Sequence, residues 1–204
     1  MPYTETLDLE LRDYDREDIL NSLYPVLAPV ATAPDFMVKN YEIGIEDIEV
    51  IYYVETEDKL FPVTRQMCEH YSIEPIDLER AVNDRCYEIV WKHISKLHEL
   101  PEDVLDMYAL TNGNSYLGAG LFITDTGRQA ICEIFHHSAA YIFPVSEHEV
   151  ILVSARCLET EERLMHFKEC LRDLADALAD DKDVRLSNHV YRFNPEVMTF
   201  RTVV

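Results

Sequence analysis

From Glu159 to Asp180 the apolar residues fall at Leu164, Phe167, Leu171, Leu174 and Leu178, in alternating steps of three and four. That spacing keeps one stripe of a helix apolar and predicts a long helix that packs on something. A similar pattern runs through PIDLERAVNDRCYEIVWKHISKL, where Leu78, Val82, Cys86, Ile89 and His93 form a stripe and Val90, Ile94 and Leu97 widen it. Pro75 suits a first helical turn, so this segment predicts one central helix. DYDREDILNSLYPVL carries a helix-start signature, with Asp15 as N-cap, Asp18 three residues on, and Ile19, Leu20, Leu23 and Leu27 near one face. Pro25 predicts an early end to it. VTRQMCEHYSI reads as a short helix, and TGRQAICEIFHHS as a helix capped by Asp125.

Elsewhere the period changes to two. EDIEVIYYVETE sets Ile48, Val50, Tyr52 and Val54 on one side and predicts a strand. DMYALTN and SYLGAGLFI read as two strands joined at NGNS, because Asn-Gly favours a tight hairpin turn. AYIFPV, HEVILVSA, NHVYRF and MTFRTVV add four more candidates. PVLAPVATAPDF, with its prolines and small residues, predicts an extended connection and a boundary. The expectation is an acidic N-terminal helical arm at 1–35 and a single α+β domain at 36–204, with a mostly antiparallel sheet and helices on one face.

Charge changes the picture more than composition does. The chain of 204 residues holds 39 acidic and 18 basic side chains, a formal balance of −21. The first 60 residues contain 15 acids against 4 bases, so this segment alone supplies −11. Free nucleic acid and anionic membranes are poor partners for such a surface. One reading of the concentration is a solvated face that keeps the protein dispersed. The sharper reading is a face for a basic partner, where carboxylates stand in for phosphates and interleaved tyrosines add contact area. The candidates for that face are Tyr3, Asp13, Tyr14, Asp15, Glu17, Asp18, Glu46, Asp47 and Glu49.

No run approaches the roughly 18 apolar residues of a spanning helix, and the first residues are acidic where a secretory leader is basic, so a soluble cytoplasmic protein is expected. Five cysteines, an odd number without a short pairing motif, predict reduced thiols.

Candidate chemistry is sparse. Ser146, His148 and Glu149 invite a triad, but on a strand Ser146 and His148 would lie ~6–7 Å apart and Glu149 would point the other way. No nucleophile elbow accompanies them. The alternative is structural: Pro144 and Ser146 make a turn and VILVSA fills a central strand. Cys68 with His70, Cys132 with His136, and His166 with Cys170 are the best metal-ligand pairs, and none has the double-cysteine spacing of a zinc site. No metal and no cofactor is expected. Phosphate loops and dinucleotide fingerprints are missing.

MYALTN, the glycine-alanine pair of YLGAG, IFPVSEHEVILVSA and LSNHVYRF occur in this order across the second half. In these motifs the chain resembles the domain-of-unknown-function family 5688, whose counterparts read like MYVLTN, GA, ILPSSIHEVILVP and LSDHVYRY. The resemblance covers roughly residues 37 to 195, with Asn112, Pro144, Ser146, His148, Glu149 and Tyr191 as motif positions. Val145 stands where a serine is usual, Ser154 and Ala155 where a proline follows, and Asn188 in place of an aspartate. The resemblance brings no activity or catalytic residue with it. It implies an accessory protein of bacteria or their mobile elements.

Together these readings favour a non-catalytic acidic module that binds a basic protein partner, as an inhibitor or nucleic-acid mimic would. Two alternatives remain open: a hydrolase or metal-dependent enzyme using His148 with Glu149 or a Cys/His pair, and a homo-oligomer joined through the Leu164 to Leu178 stripe.

Overall fold

The structure is a computed structural model that describes residues 11, 13–30, 32–35, 37–40, 45, 47–57, 59–94, 106–178 and 186–203. Side chains at 39–40 and 174–178 lie outside that description.

Two antiparallel sheets and five helices make up the described chain. β3 (Ile48–Glu55) is the spine of the smaller sheet. β1 (Leu23–Pro29) pairs along its full length on one side, from Leu23 opposite Val54 to Pro29 opposite Ile48. β2 (Lys39–Asn40) and β4 (Leu60–Pro62) share its other side. Ile48, Val50, Tyr52 and Val54 face the main core, as their alternation predicts.

The larger sheet has the order β10-β9-β7-β8-β6-β5. Its strands are β5 (Ile89–His93), β6 (Met107–Asn112), β7 (Ala140–Phe143), β8 (Val150–Ser154), β9 (Tyr191–Asn194) and β10 (Thr199–Thr202). Every residue of β8 is buried, as expected of a strand covered on both faces. Leu110, Ile142 and Leu152 pack with the smaller sheet and with Ala130 and Ile131 of α4 (Asp125–Ile134). Met107, Phe143, Ile151 and Val153 point the other way, onto Leu164, Phe167 and Leu171 of α5 (Glu161–Leu178).

The α+β class and the antiparallel pairing agree with the sequence, but helices cover both faces of the larger sheet rather than one. As far as Leu171 the leucine stripe, considered above as one possible homo-oligomer seam, packs on the larger sheet of its own chain.

The first helix, α1 (Arg16–Asn21), has the expected capping box. It stops at Asn21, and Leu23 to Pro29, expected in part to be helix and connection, form β1 instead. Proline is tolerated there because β1 is an edge strand. From Leu23 onward the supposed arm is therefore an integral strand of the smaller sheet.

α2 (Arg65–Tyr71) matches its prediction, and α3 (Pro75–Asp84) starts at Pro75 as the sequence indicates. The long central helix does not continue, because Arg85 turns extended, with φ −80° and ψ 132°. Its guanidinium bonds Leu23 O and Glu55 Oε2, both at 2.6 Å, and lies 5.1 Å from the Tyr87 ring centroid. The residues beyond become β5.

SYLGAGLFI is not a strand either. Gly118–Ile123 forms a fully buried 3-10 segment, and no hairpin joins it to β6. A Cβ on Gly118 would overlap Thr111 Oγ1 and the Asn112 backbone, and one on Gly120 would overlap the Pro25 carbonyl. Thr124 rather than Asp125 caps α4, its hydroxyl accepting from Gly127 N at 3.0 Å.

Candidate functional site

The acidic candidates divide into two environments. Asp13, Asp15, Glu17 and Asp18 are exposed on or beside α1. Asp15 and Asp18 also close the capping box, each accepting the other's backbone N–H at 2.9 Å. Arg16 reaches Asp77 at 2.8 Å and ties α1 to α3. The Asp77 carboxyl is held below its usual range by the Glu74 N–H and then by Arg16. Tyr14 is half-buried against the core. Tyr3 and Glu46 lie outside the described residues.

Glu49 is not a surface acid, and Asp47 is only partly exposed. Glu49 is fully buried, and one of its oxygens accepts the Ala33 N–H at 3.1 Å. Asp47 is the centre of a cluster drawn from the other end of the chain. Ser187 Oγ donates to Asp47 Oδ2 at 2.6 Å, Tyr191 Oη donates to Oδ1, and His189 N donates to Ser187 Oγ at 2.8 Å. His189 Nδ1 lies 3.1 Å from Asp47 Oδ2, within ion-pair distance but not aligned for a hydrogen bond. Partial burial pushes the Asp47 carboxyl up, but the hydrogen bonds and the imidazole outweigh it and hold the pKa below normal.

Sequence reasoning picked out Asp47 and Tyr191 separately and missed Ser187 and His189. The missed signal is the period-two run of Ser187, His189 and Tyr191, three hydrogen-bonding side chains on one side of an extended segment.

Two of the other motif positions, Asn112 and His148, meet at a second junction around Tyr116 and Leu117. The Asn112 side chain donates to Tyr24 Oη at 2.6 Å and to Tyr116 O at 2.7 Å, and accepts the Tyr116 N–H at 3.1 Å. Burial pushes the Tyr24 phenol up to about 12, so it stays protonated there. His148 Nδ1 accepts the Leu117 N–H at 3.1 Å, its carbonyl accepts from Thr111 Oγ1 at 2.8 Å, and its ring stacks on Tyr116. Ser146 Oγ accepts the backbone N–H of His148 at 3.2 Å, which makes it a turn former. Among the described residues no side-chain bond joins Ser146 to the imidazole. Pro144 is buried and follows β7. Burial raises the pKa of Glu149 against the pull of His148 and Lys92.

The motifs that looked scattered along the sequence are thus two packing junctions. The sequence profile of the family of unknown function DUF5688 matches residues 31–195. The chain belongs to that family. No curated protein and no solved structure matches it. Within the DUF5688 match, Asn112, the Gly118–Ala119 pair and His148 form one junction, and Ser187, His189 and Tyr191 close the other on Asp47.

Two concavities adjoin these junctions. A cleft of about 970 Å³ has the outer face of the smaller sheet as its floor, with Tyr24, Val26, Ile51 and Tyr53. Asn112, Asn114, Tyr116 and Glu147 line one wall, and Thr32, Pro34 and Met37 line another. A smaller cavity of about 360 Å³ lies between α5, the residues after β7, and Ser187 to His189.

No group of three or more metal-ligating side chains converges among the described residues. Cys132 Sγ sits 3.6 Å from Met198 Sδ, and His166 and Cys170 are 3.8 Å apart on α5 without a third ligand. No described helix is long and apolar enough to cross a membrane.

Proposed function

We propose that this protein acts by binding, without catalysis, and that its acidic helical surface occupies the basic face of a protein partner as an inhibitor or nucleic-acid mimic would. One observation carries the reading. Segments 13–18 and 74–84, joined by the Arg16–Asp77 bridge, hold eight carboxylates against two arginines. Ile76 is 48% exposed in that surface and offers an apolar anchor among the charges. Such a field speeds encounter with a cationic surface, and carboxylates pair well with arginine forks. Unpaired thiols and the absence of a spanning helix among the described residues fit a cytoplasmic setting.

The test uses competition. Purified basic nucleic-acid-binding proteins are loaded with labelled duplex DNA, and the protein is added at moderate salt. The wild type is expected to release the DNA from its target. A variant carrying Asp13→Asn, Glu17→Gln, Glu79→Gln and Asp84→Asn, which leaves both helix caps in place, is expected to need about tenfold more protein or greater. Equal competition by the two proteins would sink the reading.

A further inference from the structure

Basic residues are scarce in this molecule, yet Lys168 and Arg172, one turn apart on α5, both line the cavity of about 360 Å³. Like charges four apart on a helix repel, and the repulsion grows where water is displaced. No carboxylate lies within ion-pair distance of Lys168 among the described residues. Arg172 approaches only Asp173, its chain neighbour, at 3.3 Å, and both are more than half exposed.

Across the cavity stands His189, whose Nδ1 is turned to Asp47, so Nε2 is the nitrogen left for an occupant. Glu169 is the acidic group in the lining. Phe143, Pro144, Val145, Met165 and Leu171 make the apolar part of the lining, and Ser187 and Asn188 add polar groups beside His189. Two cations on α5, an imidazole across from them and apolar side chains between suit a ligand that is anionic at its head and has a short apolar body. The volume falls at the small end of the roughly 300–1,000 Å³ of ligand pockets.

We propose that this cavity binds a small organic carboxylate, with its head between Lys168 Nζ and the Arg172 guanidinium and its short apolar body on Phe143, Val145 and Met165. The site is separate from the acidic helical face, so either can fail without the other.

Calorimetric titration of the full chain with hexanoate, hexanol, hexylammonium and inorganic phosphate tests it. Hexanoate is expected to bind at one saturable site, with hexanol, hexylammonium and phosphate each at least about tenfold weaker. Lys168→Met combined with Arg172→Gln is expected to weaken hexanoate by a similar factor and to leave the far-ultraviolet spectrum unchanged. Val145→Trp, which fills the recess, is expected to abolish binding. No saturable hexanoate binding, equal affinity for hexanol or phosphate, or full affinity in the double variant would each overturn the proposal.

Discussion

Asp15 and Asp47 are both carboxylates of the acid-rich first third, and both accept hydrogen bonds, yet they belong to different parts of the energetics. Asp15 lies in water and closes a local turn with Asp18, three residues away. Asp47 draws in Ser187 and Tyr191, 140 and 144 residues away, and Tyr191 is fully buried. Net charge therefore says little about which acids a partner can touch. Glu49 is buried and Asp47 is engaged by Ser187 and Tyr191, so the acids of α1 and α3 are the ones that face solvent together.

The largest effect is expected at Asp47. Asp47→Ala removes the carboxylate to which both Ser187 and Tyr191 donate, leaving them the 2.9 Å contact with each other, and should lower stability by about 2–3 kcal/mol, read by urea unfolding. The pH dependence has a definite sign. Because the folded pKa is lowered from its ordinary 3.8, the unfolded chain binds the proton first on acidification. The Asp47 contribution is full above the ordinary carboxylate range and is lost as pH falls through the folded value. Asp47→Asn should flatten that part of the acid limb, and an unaltered limb would show that the cluster contributes nothing.

Glu49→Ala comes next, at about 1–3 kcal/mol, since it strips the Ala33 N–H of an acceptor in a buried site. Asp15→Ala should cost about 1 kcal/mol through the lost cap, seen as a modest drop in melting temperature. Asp13→Asn with Glu17→Gln should shift stability by less than about 0.5 kcal/mol while weakening capture of a basic partner. A large stability loss from this last pair would erase the contrast with Asp47.

Local order was readable where the residues that fix it are near in sequence. The Asp15–Asp18 box, the β3 alternation and the α5 stripe each need only a turn or two of context. Residues 85–93 were misread because the spacing of Cys86, Ile89 and His93 continues a helical stripe. What breaks the helix is the hold of Leu23 O and Glu55 on Arg85, from 62 and 30 residues away. The 3-10 course of residues 118–123 likewise depends on how close β1 and β6 come to Gly120 and Gly118. The Asp47 cluster was half visible, since each member is an ordinary residue until the two ends of the chain meet.

β9 lies inside the larger sheet, between β7 and β10, and its first residue, Tyr191, carries the hydroxyl that closes on Asp47. During synthesis the N-terminal strands emerge long before that partner exists. Asp47 must wait, solvated, while the next 140 residues are made. Completion of the fold is thus timed by the arrival of Ser187 to Tyr191, and a fragment ending before them should hold β3 without its lock.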